Sequence, residues 1–236
     1  MTNTATGAPI AVSMSITANA TQKAAKNSSY LAVTARVLDQ FGAGFQGAQV
    51  TMTCPAGNGT FPGGFLSSVK FSDVNGYATF AVLTASSVLG TFNPSVSTPS
   101  IATQFCSFKT VDPSVVFSIS VYSGQGQSAA PTFAFAQRLV GRAANELNGP
   151  VAGVVLTFDA PNSGASLVWD SPATDPTTAI TDVNGLATSP GMTANATAGS
   201  YNVQLKYTGV TTRNFGLTNG GSPPAASDSS LNICEV

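Results

Sequence analysis

Short runs of alternating apolar and polar residues recur along the chain between clusters of Gly, Pro, Asn, Asp and Ser. Val12, Met14 and Ile16 alternate with Ser13, Ser15 and Thr17. Leu31, Val33, Ala35 and Val37 face away from Tyr30, Ala32, Thr34 and Arg36. In Tyr201-Asn202-Val203-Gln204-Leu205-Lys206-Tyr207 the odd positions are apolar and the even ones polar. A period of two sends successive side chains to opposite faces, so each run predicts a strand with one packed face and one wet face. Long runs of period 3.6 with helix caps are absent. The pattern predicts an all-β chain.

The pattern is also written twice. Asp73-Val74-Asn75-Gly76 recurs as Asp182-Val183-Asn184-Gly185, 109 residues later (182 − 73). That spacing is about one small β-sandwich. Val12-Ser13-Met14-Ser15-Ile16 matches Phe117-Ser118-Ile119-Ser120-Val121 in character, and Gln22 and Gln127 follow at equal distances. Gly90-Thr91-Phe92-Asn93-Pro94 lies over Gly199-Ser200-Tyr201-Asn202-Val203. The repeat predicts one domain over residues 1–110 and a second over 111–219. Pro113 biases Asp112 toward extended conformations, which makes a short joint between them. From Gly220 to the end the composition is that of a linker, and residues 220–236 read as a flexible tail.

The second half carries a family resemblance. Thr181-Asp182-Val183-Asn184-Gly185-Leu186-Ala187 is followed by Ala194-Asn195-Ala196-Thr197-Ala198-Gly199-Ser200-Tyr201-Asn202-Val203 and then by Phe215-Gly216-Leu217-Thr218-Asn219. Upstream lies Gly153-Val154-Val155-Leu156-Thr157-Phe158. In order and spacing these resemble the bacterial Ig-like domains of the invasin and intimin type, over most of residues 112–219. The first half is similar more loosely: it keeps Asp73, Gly76, Ala78, Gly90 and Phe105 but has Cys106-Ser107-Phe108-Lys109 where the terminal Leu-Thr-Asn would stand. The resemblance implies two tandem Ig-like antiparallel β-sandwiches, the first divergent. It implies a non-enzymatic stalk or adhesive module of a bacterial surface or secreted protein, extracellular or on the cell surface. Its partner would be a protein or glycan of a host or neighbouring cell. The alternative is a carbohydrate- or ligand-binding module of a secreted enzyme.

Composition narrows the chemistry. Of 236 residues only 8% are charged, and the net charge is −1. Solubility therefore rests on hydroxyl and amide side chains. The nine Lys and Arg are scattered, whereas phosphate-backbone binding needs clustered cations, so nucleic acid is not an expected partner. No run approaches the roughly 20 apolar residues of a membrane helix, so no direct membrane insertion is expected. The N-terminus shows neither the basic region nor the apolar core of a signal peptide. Histidine is absent, which removes Ser-His-Asp and Cys-His catalysis and the commonest metal ligand. No catalytic residue, metal ligand or cofactor site is expected.

Several residues invite a sharper reading. Asp-Val-Asn-Gly has the opening of a calcium loop, but Thr84 and Thr193 stand where the bidentate Glu is required. A tight turn, with Gly76 and Gly185 at positive φ, is the better account. Cys54 and Cys106 occur together in one half and have no counterparts in the other. They predict a disulfide across 52 positions (106 − 54), worth about 3–4 kcal/mol; two independent buried thiols are the competing reading. Cys234 is left over. Trp169, the only tryptophan, and Tyr122 are candidate ligand contacts, with core packing as the alternative. Asp159, Asp170, Asp175 and Asp182 cluster in sequence, but nothing sets the carboxylate separation that glycoside hydrolysis demands.

Overall fold

Alternation becomes strand throughout the computed structural model, which describes residues 7–170 and 172–221. Every regular element among them is a β-strand. The chain divides into two compact units between Pro113 and Ser114. The tail expected from residue 220 lies, beyond Gly221, outside the described residues, as does Cys234.

The first unit contains β1 (Ala11–Ala18), β2 (Thr21–Ala25), β3 (Thr34–Asp39), β4 (Gln49–Thr53), β5 (Gly59–Thr60), β6 (Ser67–Phe71), β7 (Tyr77–Thr79), β8 (Thr84–Ala85), β9 (Gly90–Phe92), β10 (Ser95–Thr98), β11 (Ile101–Phe105) and β12 (Ser107–Val111). One layer is the sheet β1-β3-β7. The other combines β11-β10-β4-β6 with β2-β12-β9. Between them lies one core, with Val33, Ala35 and Val37 from the first layer and Val50, Met52, Val96 and Phe108 from the second. Tyr30 stacks on Phe108 at 4.6 Å between ring centroids, and Phe92 meets Phe108 edge-on at 5.9 Å. Such contacts add about 0.5–1.5 kcal/mol each beyond the area they bury.

The second unit repeats this plan with β13 (Ser118–Ser123), β14 (Gln127–Ala129), β15 (Val140–Ala144), β16 (Val155–Asp159), β17 (Leu167–Trp169), β18 (Thr177–Ile180), β19 (Leu186–Thr188), β20 (Met192–Ala194), β21 (Gly199–Tyr207) and β22 (Val210–Asn219). The layers are β13-β15-β19 and β14-β22-β21-β16-β18, with β17 paired to β20 as β5 is to β8. Phe158, Leu205, Phe215 and Leu217 fill its separate core. These are two tandem Ig-like β-sandwiches. In both, the opening strand crosses from one sheet to the other. Its second part then runs parallel to the last strand, as β2 with β12 and β14 with β22; the other strand pairs are antiparallel.

Two local features depart from the sequence pattern. β21 and β22 run unbroken, but their equivalents in the first unit are split into β9/β10 and β11/β12. Pro94 stands at the break and has no N–H for the ladder, while its carbonyl still accepts from Cys106 N–H at 2.9 Å. The alternation expected over residues 30–37 holds only from Val33 onward. Tyr30 is buried and Leu31 exposed, because Gln22 engages both backbone groups of Leu31 and draws that residue out of strand geometry.

Candidate functional site

The polar residues that recur between the units are occupied with the backbone. Asp182 Oδ1 accepts from Asn184 N–H (2.8 Å) and Leu186 N–H (2.9 Å), and Gly185 N–H donates to Asp182 C=O. These bonds, the one from Leu186 first, hold the exposed carboxyl below its ordinary pKa. Asp73 makes the same contacts to Asn75 and Tyr77. Gly76 and Gly185 have φ of 82° and 73°, so the Asp-Val-Asn-Gly segments are the tight turns expected. The loop occurs twice more where the sequence reading did not find it. Asp39 Oδ1 accepts from Phe41 and Ala43, and Asn145 Oδ1 from Leu147 and Gly149. The missed signal was an Asx residue followed at the third position by a residue that tolerates positive φ, here Gly42 and Asn148.

Gln22 and Gln127 tie the sheet-crossing bend to the next strand. Gln127 Nε2 donates to the carbonyls of Gly124 and Gln137, and its Oε1 accepts from Gln137 N–H. Gln22 bonds Asn19 and Leu31 in the same way. Each glutamine already sits in the second sheet, opposite Phe108 or Leu217, and its amide ties the bend before it to the segment that leads into the next strand.

Asn195 and Asn219 form one cluster. Asn219 Nδ2 donates to Ser166 C=O (2.7 Å), Asn195 Oδ1 (2.9 Å) and Thr197 C=O (3.1 Å). Asn195 Nδ2 donates to Gly164 C=O at 2.8 Å. In the first unit Ser86 replaces Asn195, bonding Gly57 C=O and Val88 N–H. Thr110 takes the place of Asn219, since it faces Gly90 as Asn219 faces Gly199. Its hydroxyl meets Tyr30 Oη at 2.8 Å. At the divergent ending of the first unit the bonds go elsewhere: Thr110 ties the last strand to Tyr30, and Ser86 is bonded separately.

Trp169 is not an exposed platform. It is 4% exposed, packs edge-to-face against Phe158 and donates from Nε1 to Asp175 Oδ1 at 2.8 Å. The sequence could not show that β17 folds over the core and that Asp175 lies within reach of the indole. Tyr122 is 61% exposed on β13. The expected Cys54–Cys106 bond is also corrected: both are buried free thiols. Cys54 follows β4 and Cys106 follows β11, and β10 runs between those strands. Two strand spacings are roughly 9–10 Å, beyond the ~7 Å limit between bonded cysteine Cα atoms. Burial pushes both thiols up to about 11.

Two further acidic residues of that stretch are engaged separately. Asp159 pairs with Lys206 across β16 and β21, and Asp175 holds Trp169 and Ala160 N–H. Surface depressions lie on the outer sheet face, one lined by Ser200, Asn202, Gly216 and Thr218, the next by Asp159, Asn162, Asn202 and Gln204. Their hydroxyls have no histidine to activate them. Among the described residues no three His, Cys, Asp or Glu residues group as metal ligands, and no helix is long and apolar enough to cross a membrane.

No protein-family model and no curated protein matches this sequence. Among solved structures the chain is similar to domains 4–9 of the surface layer protein SbsC, at 13% identity and a TM-score of 0.35, over 89% of this chain and 31% of that one. It is similar to the Yersinia pseudotuberculosis adhesin InvE at 18% identity and 0.32, over 90% and 59%. Invasin, a bacterial integrin-binding protein, gives 16% and 0.31, over 86% and 38%. The chain spans less than two thirds of each of these. At such TM-scores the likenesses carry no inference, and the fold rests on the strand pairing described above.

Proposed function

We propose that this chain is a non-enzymatic stalk or adhesive module of a bacterial surface or secreted protein, acting in cell adhesion outside the cell. The supporting observation is the use of its polar residues. The repeated Asp, Asn and Gln side chains brace turns, sheet crossings and strand ends in both units. The motif resemblance to invasin and intimin domains points the same way. The partner is a protein or glycan of a host or neighbouring cell, and of the two aromatic candidates Tyr122 is the one exposed to touch it. With Trp169 buried, the sugar-platform form of a binding module loses its main residue.

The test uses antibody against the purified chain on intact source cells, and beads coated with the chain on cultured host cells. Surface labelling together with bead attachment is expected. Labelling only after permeabilisation overturns the surface role, and beads that attach no better than albumin-coated ones overturn the adhesive one.

A further inference from the structure

Among the described residues β6 is the outer strand of its sheet, paired with β4 alone. Its bonding direction is set just beyond both ends. Cys54 N–H donates to Leu66 C=O at 2.8 Å, and Ser72 N–H donates to Ala48 C=O at 3.0 Å. Residues 66, 68, 70 and 72 therefore turn their backbone groups toward β4. Alternation leaves the N–H and C=O groups of Ser67, Val69 and Phe71 directed out from the sheet edge. The ladder runs without a register shift from Gln49↔Phe71 to Thr53↔Ser67, so no bulge turns this edge away. The side chains of Val69 and Phe71 are 46% and 67% exposed.

The second unit blunts one end of the same edge. Thr181 takes the place of Ser72: its N–H donates to Val154 C=O and its hydroxyl accepts from Val154 N–H, as Ser72 does with Ala48. Counting back, Ile180, Thr178 and Pro176 stand where Phe71, Val69 and Ser67 stand in the first unit. Proline offers no N–H, and it is a common way to blunt an edge strand. The first unit has no such residue in β6.

We propose that β6 pairs antiparallel with β6 of a second copy of this chain, about a two-fold axis at Val69. The strand is complementary to itself. Val69 faces Val69 and Ser67 faces Phe71, which forms about six main-chain hydrogen bonds from groups that are already aligned. Each Phe71 lies diagonal to the other copy's Val69, within reach of an aromatic side chain. Lys70, the only charged residue of the strand, falls opposite Ser68 rather than another charge. A net charge of −1 leaves little repulsion between copies. A two-fold interface needs only this one patch, and it joins two four-stranded sheets into one.

Sedimentation of the whole chain under reducing conditions, which keep Cys234 from linking copies, tests this from micromolar to millimolar protein. A concentration-dependent dimer is expected. Val69→Pro removes an outward N–H and no bond to β4, so the chain stays folded and the dimer is lost. Val69→Lys sets two like charges on the axis, so the dimer is lost at low salt and recovers partly at high salt. Thr178→Pro, at the matching position of the second unit, leaves the dimer intact. A wild-type chain that stays monomeric throughout overturns the proposal, as does a dimer that survives both Val69 variants. If Val69→Pro fails to fold, Val69→Lys decides alone.

Discussion

At the scale of single residues, the two buried cysteines show how far local sequence reaches. Pairing them was reasonable from their joint appearance in one half. The strand order separates them, and each behaves as a small apolar side chain with a titratable sulfur. Burial disfavours the thiolate, so the folded pKa rises from 9.0 to about 11 for both. The unfolded chain ionises first, near pH 9. Their contribution to stability is therefore complete below pH 9 and is lost as pH rises through about 11. The urea midpoint of the first unit is expected to fall across that window. Cys54→Ala with Cys106→Ala should lower stability at pH 7 but flatten the fall above pH 9, leaving the part that buried Tyr30, also raised by desolvation, contributes nearer pH 10. An unchanged slope in the double variant would show that the thiols do not ionise on unfolding.

At the scale of elements, the Asx-Gly loops decide how strands connect. Gly76 and Gly185 share positive φ with Gly42, but their surroundings differ. A Cβ on Gly76 would stand 2.2 Å from Val37 O, and on Gly185 2.5 Å from Ala143 O, whereas a Cβ on Gly42 meets nothing within 4 Å. Gly42→Ala adds only backbone strain, about 1 kcal/mol. Gly76→Ala or Gly185→Ala adds a clash with a neighbouring strand's backbone, for a total of about 2–3 kcal/mol, or roughly 10 °C in a unit of this size. Thermal melts of the three variants measure the difference, and equal losses would show that the crowding is relieved at no cost. The turn itself was legible in the sequence, because Asp at the first position and Gly at the fourth state its hydrogen bonding and its φ. The loops at Asp39 and Asn145 were not, because their intervening residues differ from the repeated tetrapeptide.

At the scale of the whole molecule, each unit closes its own core, and no residue is shared between the two. Trp169 is the only tryptophan and lies in the second core. Its fluorescence therefore follows the second unit, while circular dichroism follows both. Noncoincident unfolding curves are expected, with Gly76→Ala shifting dichroism and leaving the tryptophan midpoint in place. Coincident curves that move together would show one cooperative body. The amino-acid order determined by itself that the chain is all-β and written twice, since a period of two and a repeated turn are local statements. It also pointed to Gln22 and Gln127 as equivalents. Only the tertiary structure decided that Trp169 faces inward, that β10 separates the cysteines and that the edge of β6 stays open. Alternation tells which side chains share a face of a strand, and the neighbours across that face come from distant parts of the chain.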